Sequence, residues 1–225
     1  MWLTVVIVVL VLVLIASLVV SHLAYRKEQE LAAIENAFSA QRSRSEHIDD
    51  IQMGVQHLNL PTLAWNYLID FHIHLLNEMK SIKPNAPGID DTIQEQENLR
   101  GQQGSYQIPN TDRGIVKAQK YIKFTLRAMR QMRGENLLTP HQLEEINTKL
   151  SYCHNIIEID AHTHQGIHAL NKRHYQEGTT HLKHARALLI RTLMDDAERE
   201  VRLHKLDKYL ENPYETHPPE DSGEQ

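Results

Sequence analysis

A chain of 225 residues with 24 Lys and Arg against 29 Asp and Glu carries a formal net charge of −5, which argues against a nucleic-acid-binding protein. Only 6% of the residues are aromatic, Gly is sparse, and Leu, Ile, Gln, Glu, Lys and Arg recur throughout, a balance that disfavours a sheet protein. The single cysteine, Cys153, excludes an intrachain disulfide.

The stretch Trp2 to Val20 reads WLTVVIVVLVLVLIASLVV, without a charge or a proline. As a helix rising about 1.5 Å per residue it spans about 28 Å, close to the ~30 Å of a bilayer's hydrocarbon core. Trp2 and Tyr25 suit the two interfaces. The run exceeds the apolar core of a secretory signal, has no basic flank before it, and offers poor cleavage matches at Ala16-Ser17-Leu18 and Ser21-His22-Leu23. Residues 1–22 are therefore read as a retained transmembrane anchor. Arg26 and Lys27, then Arg42 and Arg44, lie on its carboxyl side. By the positive-inside rule they predict a single-pass protein of a bacterial-type inner membrane whose bulk faces the cytoplasm.

Residues 23–58 read as a juxtamembrane helical stalk. Leu31, Ile34 and Phe38 keep a 3–4 spacing, the polar segment Ser39 to His47 predicts a break, and Ile48, Ile51, Val55 and Leu58 resume. The pattern admits a short coiled coil. Asn59-Leu60-Pro61 opens the bundle domain, 59–211, with Pro in the first turn. Ala64, Leu68, Phe71, Leu75, Met79 and Ile82 form a stripe. His72 and His74 diverge by about 200° on that helix and are expected at its surface or edge. Residues 83–112, with Pro84, Pro87, Gly88, Gly101, Gly104 and Pro109, predict one long flexible loop.

The next helix, Arg113 to Arg133, bears Arg113, Lys117, Lys120, Lys123, Arg127, Arg130 and Arg133 and no acid. Lys117, Lys120, Arg127 and Arg130 are candidates for contact with an anionic surface, lipid headgroups in the first place and a nucleic acid in the second. The opposing expectation is a solvated face balanced by Asp195, Asp196, Glu198 and Glu200. Beyond Gly134, Thr139-Pro140-His141-Gln142 has the form of a capping box. The stripe Leu143, Ile146, Leu150, Cys153 and Ile157 runs on through Asp160 and His164 to Ile167, and a turn is needed near Asn171 to Gln176. Leu182, Ala185, Leu189 and Leu193, then Leu203, Leu206 and Leu210, continue the pattern until Asn212-Pro213. The acidic tail, 212–225, is expected to be disordered. The predicted fold class is all-α: a transmembrane helix followed by an antiparallel helical bundle with one long loop.

Three constellations bear on chemistry. Ile159-Asp160-Ala161-His162-Thr163-His164 resembles the D-x-H-x-H strand end of metal-dependent amidohydrolase-type barrels, where the two histidines ligate a metal. Here the surrounding residues read as helix, in which His162 and His164 face apart. Gly166, Ala169, Tyr175, Gly178, Leu182 and Ala185 resemble one tetratricopeptide unit, with no second copy at a 34-residue offset. Lastly, Asp160, His164 and His168 share a helical face, and a hairpin turning near His174 sets His168 opposite His181 and His164 opposite His184. His164, His168, His181 and His184 are thus the candidate ligands for a divalent transition metal. No Ser-His-Asp or Cys-His arrangement emerges, and Cys153 reads as a buried structural thiol.

The function expected from sequence is a membrane-anchored helical interaction or scaffold protein without catalytic activity or a resident cofactor. Its expected partners are the membrane, through Trp2–Val20, and an unidentified protein. Homo-oligomerisation is allowed, and no nucleic acid is expected. The alternative is a metal- or pH-responsive helical sensor built on the histidines.

Overall fold

The computed structural model describes residues 2–215, apart from the side chains of 3–16. They form seven helices: α1 (Trp2–Val55), α2 (Thr62–Ile82), α3 (Ile89–Asn98), α4 (Asp112–Gly134), α5 (Pro140–Asn171), α6 (Tyr175–Arg191) and α7 (Asp196–Glu211). No strand occurs among the described residues, so the fold is all-α. Among those residues no helix is long and apolar enough to cross a membrane. The expected anchor rests on side chains 3–16, and the expected disordered tail largely on residues 216–225; both lie outside the described set.

The caps follow the sequence. Thr139 accepts from the Gln142 amide while the Gln142 side chain returns to the Thr139 amide, so the capping box forms with Pro140 in the first turn. Thr111 caps α4 by accepting from the Gly114 amide, and Asp195 caps α7 through the amides of Ala197 and Glu198.

The main core is built by the end of α1, by α2 and α4, and by the first half of α5. Trp65, Leu68, Phe71, Leu75, Met129, Ile146, Leu150 and Ile157 meet there with Ile48, Ile51 and Val55. The last three residues fall in the stretch read as stalk, and they are fully part of the bundle. Cys153 is buried in the same core, with its Sγ 3.6 Å from the Leu58 carbonyl. Burial, helped by Asp160, pushes its thiol up to about 12, which keeps it protonated and unreactive. A second core joins Ile159 and Leu170 of α5 to Leu182, Ala185 and Leu189 of α6 and Leu206 and Tyr209 of α7. The 32-residue α5 is the strut common to both cores.

Two predicted irregularities are replaced by helix, for one reason. α1 runs unbroken through Ser39–His47, and α3 occupies the middle of the expected loop. Both segments meet α2 along a buried polar seam. The Ser45 hydroxyl lies 2.8 Å from His72 Nε2, His72 Nδ1 lies 3.1 Å from Gln52 Oε1, and Gln52 donates to Gln96 Oε1 at 3.0 Å. With the neutral ring donating from Nδ1 and accepting at Nε2, the chain of bonds links α1, α2 and α3 with each polar group partnered. Ile89 then packs on Leu76 and Met79. The rest of the segment is tied down as well: Gly104 and Gln107 donate backbone amides to the Gln56 and His57 carbonyls, and Trp65 Nε1 donates to the Leu99 carbonyl at 3.0 Å.

His72 is therefore not the surface residue expected from its spacing; it is 3% exposed. Burial holds its pKa below the ordinary imidazole value, against the opposing pull of Asp49 and Gln96. Above about pH 6.5 both folded and unfolded chains keep this ring neutral. As the pH falls through that value the unfolded chain takes the proton first, so stability drops. Chemical unfolding between pH 7 and pH 5 should show this acid-side loss, and His72→Gln, which keeps polar atoms in the seam but cannot titrate, should flatten the profile. An unchanged slope in that variant would remove His72 as the cause.

Candidate functional site

The α5–α6 hairpin is where titratable side chains gather, and two glycines set its geometry. Gly166 on α5 and Gly178 on α6 are buried against one another, and a Cβ on Gly178 would stand 2.9 Å from the Gly166 carbonyl oxygen. This close approach fixes which face of each helix meets the other. Residues four and eight positions before Gly166 lie on the same face, and they are His162 and Glu158. Across the crossing, His181 and His184 flank the buried Leu182 and Ala185 of α6.

The result is a compact cluster. One ligand-capable atom from each of Glu158, His162 and His184 lies within 4.8 Å of the others. His184 Nε2 is 3.4 Å from Glu158 Oε1, and the His162 and His184 rings meet edge to face at 4.5 Å between centroids. His162 Nδ1 is 3.0 Å from His181 Nδ1, so a third imidazole contacts the cluster from its side. Gln119 of α4 donates to the other carboxylate oxygen, Glu158 Oε2, at 2.6 Å. Glu158 and His162 are half-buried and His184 is exposed. Burial and the two neighbouring imidazoles push the His162 pKa down, with Asp112 and Glu158 opposing.

The four histidines singled out from sequence are divided by this crossing. His181 and His184 face α5 as expected, but the residue they meet is His162. His164 and His168 are exposed and stack on each other with ring centroids 6.4 Å apart. They line a separate cleft of about 580 Å³ together with His174, His181, Asp112 and Glu177. Asp160 does not serve His164: it accepts from Tyr106 at 3.0 Å and from Arg202 at 2.8 Å. With Asp160 bound to α7 and His162 turned into the crossing, the D-x-H-x-H geometry is absent.

The second feature is the outer face of α4. Lys117, Lys120, Lys123, Arg127 and Arg130 are exposed. Among the described residues none of them has a carboxylate within salt-bridge distance. Three of the four acids expected to balance them are engaged elsewhere: Asp195 caps α7, Asp196 pairs with Arg199, and Glu198 takes Arg202 and Tyr152. The Lys120 ammonium and the Arg127 guanidinium both lie against the Phe124 ring, 5.3 and 5.5 Å from its centre, forming a short cationic–aromatic ridge. No family model, curated protein or solved structure matches the chain.

Proposed function

We propose that this chain is a single-pass membrane-anchored interaction module, without catalytic chemistry of its own, that carries a helical bundle on a rigid stalk and offers the basic face of α4 to an acidic protein partner. The observation that carries the reading is the continuity of α1. One 54-residue helix begins in the apolar run and ends with Ile51 and Val55 wholly buried in the bundle. Between these ends, residues 17–37 are exposed throughout.

The same helix argues against lipid as the occupant of the basic face. From Ser21 to Arg44, where α1 meets Glu135 just past the end of α4, it rises about 35 Å at about 1.5 Å per residue. Surface charge is screened within about 8–10 Å at physiological salt. On an upright stalk the α4 cations stand beyond the reach of the bilayer that holds α1. An acidic protein meets the same charge requirement without that constraint, and the exposed, unpaired ridge suits a transient, salt-sensitive contact.

The test uses the detergent-solubilised full chain recovered from membranes. Reversing Lys117, Lys120, Arg127 and Arg130 to Glu should remove a co-purifying stoichiometric partner while leaving the melting temperature within a few degrees of wild type, since solvated surface changes cost little. In parallel, Leu10→Arg with Leu14→Arg should release the chain from alkali-washed membranes, because each central arginine costs about 2.5–3.5 kcal/mol on an insertion scale. Retention of the partner by the reversed variant defeats the docking part of the reading. Failure of the wild-type chain to stay with washed membranes defeats the anchor part.

A further inference from the structure

We infer that Glu158, His162 and His184 form a binding site for a divalent transition metal of the zinc class, with Gln119 and His181 as its positioning residues. The inference does not depend on the membrane reading or on the basic face. Its first ground is donor chemistry. Two imidazoles and one carboxylate are a donor set that zinc accepts, leaving a fourth position for water.

The second ground is geometry. Bonds of about 2.0–2.1 Å in a tetrahedral site set donor atoms roughly 3.3 Å apart. The 3.4 Å between His184 Nε2 and Glu158 Oε1 already matches that spacing. Glu158 and His162 lie one helical turn apart on α5, and one donor atom from each of the three residues already lies within 4.8 Å of the others. The Gly166–Gly178 contact holds α6, and with it His184, close enough to complete the set.

The third ground is the surrounding shell. Gln119 takes up one carboxylate oxygen of Glu158 and leaves the other directed at His184. His181 bonds one ring nitrogen of His162 and so fixes the orientation of that ring. Ligands oriented by second partners in this way are what a metal site requires beyond the donors themselves.

The experiment is a titration of the purified full-length chain in detergent, without an oligohistidine tag, with cobalt(II), followed by its visible bands and then by zinc displacement. Wild type should bind one equivalent with four-coordinate bands that zinc abolishes. His184→Ala, an exposed position, and Glu158→Gln, which keeps the shape and the Gln119 contact, should each weaken binding about a hundredfold or more, and Gln119→Ala about tenfold. His164→Ala combined with His168→Ala should leave the affinity within about twofold. Unfolding curves recorded without metal should be alike for His184→Ala and wild type, separating ligand loss from unfolding. Wild type without a stoichiometric site, undiminished binding by His184→Ala, or loss of binding in the His164/His168 double variant would each overturn the assignment.

Discussion

Gly178→Val should cost the chain about 3 kcal/mol or more and lower its melting temperature by roughly 6–12 °C, given about 2–4 °C per kcal/mol for a domain of this size. A Cβ at this position would come within 2.7 Å of Leu170 Cδ2 and 2.9 Å of the Gly166 carbonyl oxygen. Leu170 is itself 2% exposed and has little room to turn aside, and a backbone oxygen on a helix cannot move alone. The two helices must separate, so every contact across the crossing weakens, including the His162–His181 hydrogen bond and the His162–His184 ring contact. Helix propensity works in the opposite direction, since Gly in a helix interior is worse by about 1 kcal/mol than Ala. Gly178→Ala should therefore be destabilised less than Gly178→Val. Gly134, where an added Cβ would meet nothing within 4 Å, should accept Ala at no cost. Equal melting temperatures for Gly178→Val and wild type would show that the crossing is loose.

Trp65→Ala should be the more damaging change, at about 3–5 kcal/mol for the lost core volume. The indole is 2% exposed and belongs to the main core. It also donates to the Leu99 carbonyl just past the end of α3, so truncation removes one of that carbonyl's two donors, leaving only the Gln102 amide, as well as opening a cavity. The damage should be directed. Residues 99–107 are held by Trp65, by Asn66 Oδ1 on the Gly101 amide and by Gln103 on the Leu60 carbonyl. Trypsin should therefore cut after Arg100 faster in Trp65→Ala than in a control core variant of equal melting temperature such as Ile157→Ala. Matching cleavage rates in the two would mean that the segment is not tied through Trp65. Trp65→Phe, which refills most of the volume but cannot donate, should show the faster cleavage with a smaller loss of stability.

What could be read from the amino acids, and what could not, divides along one physical line. Apolar periodicity found α2, α4, α5 and α6 because their buried faces are rows of Leu, Ile, Met and Phe. It missed α3 and the continuity of α1 because the faces they bury carry Gln96, Ser45 and Gln52. A buried polar residue whose bonds are all satisfied looks, in a sequence, like a solvated one. His72 is the same case from the other side of the seam. At the candidate site, the residue types were legible but the roll of α5 about its axis was not. His164 and His168 lie on one helical face, and nothing in a hydrophobic pattern says that the face bearing His162 is the one pressed to α6. The signal that could have found it was Gly166: a glycine inside a long helix marks a close approach, and counting back by four from it reaches His162 and Glu158.

The helix that serves both hydrophobic cores has a consequence for how the protein comes apart. Because α5 supplies Ile146, Leu150 and Ile157 to one core and Ile159 and Leu170 to the other, neither can melt without fraying a helix whose remaining half is needed by its neighbour. The bundle is thereby welded into one cooperative unit, with amides in the middle of α5 released to solvent only by global opening, while α7, which buries only Leu206 and Tyr209, can peel away at lower free energy.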